Sequence, residues 1–158
     1  MVIPHDEKCE LINKLSKNYK VLSEVGSKEE GILISPAKWI RMMSNELQAG
    51  SFKVIAEARE SGNVGIYRPN GSAHVQLVRR ILANVALEDI LWEAPKKPQQ
   101  VWFLRQFGAN VNLGNIGPND LIPLECLRLG LRGDTFFEHL PDALAEGKRL
   151  VNDTVEED

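Results

Sequence analysis

The chain has 158 residues, 43% hydrophobic and 26% charged, with a formal net charge of -3 and a pI near 5.7, which is ordinary composition for one globular core. The acidic balance argues against nucleic acid or an anionic membrane as partner, because both recruit basic surfaces; an anionic metabolite stays open, since a pocket can be locally positive. There is no basic, apolar leader in Met1–Glu7, no run of roughly 18 apolar residues and no CxxC pair, so Cys9 and Cys126 read as reduced, buried thiols in a cytosolic protein.

Residues 7–19 place Leu11, Ile12, Leu15 and Tyr19 at helical spacing, and 20–26 then read as a buried strand running into a loop. Ser35 as N-cap and Pro36 at the first helical position open a second helix with Trp39, Ile40, Met43 and Leu47 on one face and Gly50 past its end. A strand over 52–58 follows. After a loop containing Gly62 and Gly65, Val75, Val78, Ile81, Leu82 and Val85 mark a third helix, and 89–93 a third strand. Pro98 starts a fourth helix through Val101, Trp102, Leu104 and Phe107, Gly108 stops it, 110–113 is a short fourth strand, and 123–131 a final helix.

Alternating helices and strands predict an α/β fold with a parallel sheet and crossover helices, either doubly wound like flavodoxin or closed as a barrel. An eight-stranded barrel needs about 250 residues, so the four strands expected here make about half of a TIM-type (β/α)8 barrel, over 1–137. Beyond Phe137 acidic residues predominate, and 138–158 reads as an acidic C-terminal extension with a short surface helix.

Ligands of parallel α/β proteins bind where the C-terminal strand ends emit their loops. Those ends are polar here: Glu24 with Lys28 beyond it, then Glu57-Ala58-Arg59-Glu60-Ser61-Gly62, then Glu93, then Asn112 to Asn115. A single carboxylate at such a place is ordinarily a cap or an ion-pair partner. Three on successive strands repel one another unless cations bind among them. By spacing alone Lys28 reads as a solvated loop lysine, and Arg59 serves equally as an ion-pair partner of its neighbouring glutamates or as an anion ligand. Gly62, Gly65, Gly114 and Gly117 read as turn glycines. Arg128 and Arg132 either help a phosphate site or face solvent beside Glu125, and His5, His74 and His139 read as surface residues without a role.

Five segments in order carry a resemblance: 21–28, 57–62, Glu93-Ala94-Pro95 with Gln99-Gln100, 110–116 and 124–136. Together they resemble the phosphosulfolactate synthase family, matching it after its fourth strand. That resemblance implies a magnesium-dependent (β/α)8 barrel adding sulfite to phosphoenolpyruvate, in coenzyme M biosynthesis or bacterial sulfolactate formation. It implies Mg2+ held by Glu24, Glu57 and Glu93, and Lys28 as the general acid. Glu57 and Arg59 complete the catalytic set, with Arg59, Ser61, Asn112, Asn115 and Arg132 on the substrates. About 100 further residues are expected upstream of Met1; otherwise a homo-oligomer is expected to cover the open sheet edges and apolar face. The competing readings are a truncated, non-catalytic binding or interaction protein derived from the barrel, and a barrel enzyme acting on another phosphorylated acid.

Overall fold

The computed structural model describes residues 3–26, 34–140 and 144. Among these residues five α-helices and four strands follow in chain order: α1 (His5–Ser16), β1 (Leu22–Val25), α2 (Pro36–Gln48), β2 (Lys53–Ala56), α3 (Val75–Leu82), β3 (Ile90–Glu93), α4 (Lys97–Phe107), β4 (Leu113–Gly114) and α5 (Leu121–Arg128). The caps are those the residue types dictate: Ser35 Oγ accepts from Lys38 N at the start of α2 with Pro36 behind it, and Gly108 at φ 86° ends α4.

The strands form one parallel sheet in the order β1-β2-β3-β4. Strand order follows chain order, without the reversal that defines a doubly wound sheet. Period-two alternation gives the sheet two unlike faces. Val25, Val54, Ala56, Ile90 and Trp92 are fully buried against Trp39 and Met43 of α2, Val78 and Ile81 of α3 and Phe103 of α4. Trp92 stacks beside Phe103 and Phe107 with ring centroids 5.2 and 6.4 Å away. The opposite face carries Leu22, which is exposed, with Lys53, Ile55 and Leu91, which are partly so.

The fourth strand and the two thiols differ from expectation. The fourth strand is Leu113–Gly114 rather than 110–113, because Val111 N turns back to Gly108 O at 3.2 Å and Val111 O accepts from Arg128 Nη2 at 3.0 Å, so the ladder to β3 opens only where Asn112 O accepts from Trp92 N at 2.9 Å. Leu11, Leu15 and Tyr19 are exposed and only Ile12 of α1 is buried, since α1 lies at the rim of the helix layer, mainly against α2. At that rim the free thiol of Cys9 is half-buried, and so is that of Cys126 on α5, so neither is the buried thiol expected. Most of the acidic segment 138–158 and Lys28 lie outside the described residues. No helix among the described residues is long and apolar enough to cross a membrane.

Candidate functional site

Register builds the site. Val25 pairs with Ala56 and Ala56 with Trp92, so Glu24 before Val25, Glu57 after Ala56 and Glu93 after Trp92 all fall on the face away from the helices, at the C-terminal end of the sheet. One ligand oxygen of each of the three carboxylates lies within 4.8 Å of the others. Glu57 is only 3% exposed, while Glu24 and Glu93 are intermediate.

Two glycines allow this packing. A Cβ on Gly26 would lie 2.4 Å from Glu57 Cβ and 2.9 Å from the Trp39 ring, and one on Gly65 would lie 2.0 Å from Glu57 O. Both have positive φ, 142° and 70°, which glycine adopts without steric cost. Glu93 is oriented by Ala58 N, which donates to its Oε2 at 2.6 Å, and the Tyr67 hydroxyl donates to Glu93 O at 2.6 Å. Burial, reinforced by the Glu93 charge, pushes the Tyr67 hydroxyl well above the ordinary phenol range.

Beside the carboxylates opens a cavity of about 510 Å³ lined by Glu57, Ala58, Arg59, Glu60, Ser61, Glu93 and Asn115. Arg59 and Ser61 are exposed at its rim, and Ser61 Oγ donates to Asn63 Oδ1. Asn115 has φ 55°, a left-handed conformation that asparagine tolerates, and its Nδ2 donates to Ala58 O at 2.9 Å, tying the loop after β4 to the loop after β2. The arrangement offers clustered hard oxygen donors, an arginine fork and a hydroxyl around one opening. It can hold a divalent cation beside an anionic ligand.

Not every residue singled out from the sequence is there. Asn112 lines a separate cavity of about 540 Å³ at the N-terminal end of the sheet, so it does not join the three glutamates; the later start of β4 puts Asn115 at the mouth instead. Arg132 is exposed in the segment after α5, which is tied to the helix layer through Arg105 Nη2 to Asp134 O at 2.6 Å and Thr135 Oγ1 to Leu127 O at 2.6 Å. It is not among the residues lining the mouth. Arg128 braces the start of β4, donating to Ala109 O and to Val111 O, and its burial lowers its pKa from the usual value. His5 is more than a surface residue, its Nε2 lying 3.2 Å from the buried Glu46 Oε1. Sequence reasoning assigned nothing to Tyr67 or Gln99, both buried beside the site. Gln99 was visible as part of a segment resembling the family, Glu93-Ala94-Pro95 with Gln99-Gln100, but with no role attached to it.

Residues 1–134 match the family model described as (2R)-phospho-3-sulfolactate synthase (ComA). The chain is 43% identical over 137 residues to the phosphosulfolactate synthase of Methanothermobacter thermautotrophicus, covering 84% of this chain and 53% of that protein. The Bacillus subtilis phosphosulfolactate synthase is 43% identical over 134 residues, 83% of this chain and 53% of its own length. That of Methanocaldococcus jannaschii is 38% identical over 135 residues, 83% and 54%. The chain thus spans about half the length of the curated relatives it matches.

Proposed function

The chain belongs to the (2R)-phospho-3-sulfolactate synthase family, and from that membership we propose that it carries the cation and substrate positions of a phosphosulfolactate synthase, joining sulfite to phosphoenolpyruvate. The observation that carries the reading is the carboxylate cluster: Glu24, Glu57 and Glu93 converge within 4.8 Å at the sheet's C-terminal end. Three carboxylates, with no nitrogen or sulfur donor in the cluster among the described residues, suit Mg2+, which prefers oxygen ligands and keeps several waters. When bound there, the cation would neutralise negative charge developing on the substrate carboxylate.

The remaining roles fall to the chain's own residues. Arg59, at the cavity rim, presents a planar fork to the phosphate or carboxylate of phosphoenolpyruvate, and Ser61 and Asn115 supply further donors. The sulfur lone pair of sulfite forms the new bond to the methylene carbon while the alkene electrons move toward the carboxylate. The carbon bearing the phosphate ester then takes a proton, which we assign to the ammonium of Lys28, outside the described residues and three positions beyond the end of β1 in sequence. Asn112 and Arg132, away from this mouth, are left out of the site.

Strand order equal to chain order, and a half-exposed sheet face opposite the helices, support a segment of about half a (β/α)8 barrel rather than a complete domain. A preceding half of the same protein, or a second copy of this chain, would cover that face. Incubation of the purified protein with sulfite, phosphoenolpyruvate and MgCl2, followed by phosphorus NMR, is expected to show phosphosulfolactate. No product from a folded sample that binds Mg2+ would favour the non-catalytic binding protein, and consumption of phosphoenolpyruvate without sulfite would favour another barrel enzyme. Light scattering separates a self-paired chain from a 17.7 kDa monomer.

A further inference from the structure

We propose that Gln99 is a positioning residue that locks the β2–α3 loop at the mouth of the site, and thereby sets affinity for an anionic substrate it does not touch. The inference rests on the reading above in one respect only, that Arg59 and Ser61 of this loop face the substrate.

Gln99 lies in the first turn of α4 and is 4% exposed. Its Oε1 accepts from Lys96 N at 3.1 Å. Its Nε2 uses both hydrogens, donating to Gly62 O at 2.7 Å and Gly71 O at 3.0 Å. One amide therefore joins two stretches of the loop nine residues apart to the rigid start of a helix. The loop is pressed against it: a Cβ on Gly62, at φ +62°, would lie 2.6 Å from Gln99 Nε2. Gly62 N in turn donates to Arg59 O at 2.7 Å, so fixing Gly62 fixes the turn that carries Arg59, Glu60 and Ser61. The far stretch is held the same way, Gly71 N donating to Arg68 O and Arg68 N to Ser72 O, both at 2.8 Å.

The chemistry selects glutamine. Leucine would fill the space and leave two carbonyls without their donor. Glutamate keeps the shape and the acceptor and loses both donors. Asparagine is a methylene short. Arg59 and Ser61 are exposed, so their placement over the cavity depends on the backbone beneath them; the middle of the loop is held by the buried Val64, Ile66 and Tyr67, and Gln99 ties the two stretches on either side of it.

Gln99→Glu and Gln99→Ala test this against Gln100→Ala, since among the described residues Gln100 donates to Ala94 O at 3.1 Å and not to the loop. Amide hydrogen exchange over 59–72 and calorimetric titrations with MgCl2 alone, then with phosphoenolpyruvate in MgCl2, are read for each. Both Gln99 variants should exchange about tenfold faster in the loop, with β1 to β3 unchanged, the size expected for losing one to two buried hydrogen bonds. Phosphoenolpyruvate affinity should fall about fivefold or more and Mg2+ affinity stay within about twofold, with Gln100→Ala changing neither. Unchanged loop exchange in the Gln99 variants, an equal effect of Gln100→Ala, or Mg2+ and phosphoenolpyruvate affinities falling together would overturn the proposal. If the unsubstituted chain binds no phosphoenolpyruvate, the proposed function fails, and the exchange comparison alone decides the role of Gln99.

Discussion

Removing one charge from the carboxylate cluster tests its cation-binding reading directly. At the 4.8 Å limit of the cluster two carboxylates repel by about 3 kcal/mol at an effective dielectric near 20, and by about 1 kcal/mol in bulk water. A divalent cation among three of them reverses that sign, and binding only the folded state it adds about 2.7 kcal/mol at a hundredfold excess over its Kd. For a chain of this size each kcal/mol moves Tm by roughly 2–4 °C, so MgCl2 should raise the melting temperature by about 5–10 °C over EDTA. Glu57→Gln keeps the shape of the buried side chain and removes the member of the cluster that is 3% exposed. It should melt near the unsubstituted protein in EDTA and lose more than about half of the Mg2+-induced rise. Calorimetric melts in the two buffers read both numbers. Equal destabilisation in EDTA and in MgCl2 would mean that Glu57 is a structural carboxylate, and the cation reading would fall with it.

Gly26→Ala drives a Cβ to within 2.4 Å of Glu57 Cβ at φ +142°; urea denaturation should show a loss of about 1–3 kcal/mol, as overpacking costs elsewhere, with weaker Mg2+ binding. Asn115→Ala loses the bond to Ala58 O and strains a φ of 55°, whereas Asn115→Gly loses only the bond; equilibrium unfolding should place the glycine variant about 1 kcal/mol above the alanine one. Of the two tyrosines, Tyr67 has a folded-state pKa raised by burial and then by Glu93, so its contribution to stability is full below the ordinary phenol pKa near 10 and is lost as pH rises beyond it. Absorbance titration at alkaline pH, with Tyr67→Phe as the reference, should find the Tyr67 tyrosinate only as the protein unfolds; its appearance in the folded state would refute the buried Tyr67.

Among the described residues periodicity placed the five α-helices and the first three strands, though not the fourth, because amphipathic stripes such as Trp39, Met43 and Leu47, and apolar runs such as Val54 to Ala56, are local consequences of which face meets the core. It also placed Glu24, Glu57 and Glu93 at strand ends, since position along a strand is a sequence property. What sequence could not settle was register. Asn112 is paired at the N-terminal end, its amide on Glu88 O and Ile90 O and its own O taking Trp92 N, while Asn115, three residues on, meets Ala58 O at the mouth, and no local pattern encodes a hydrogen bond across 22 residues. The same holds for Gln99, whose partners Gly62 and Gly71 lie 37 and 28 residues away, and for Arg132, which the packing of Thr135 and Asp134 against α5 and α4 keeps with the helix layer. Residue types and spacing therefore determined the elements and the carboxylates at their ends; long-range hydrogen bonds and strand pairing, which exist only once the chain has folded, decided which of those residues meet.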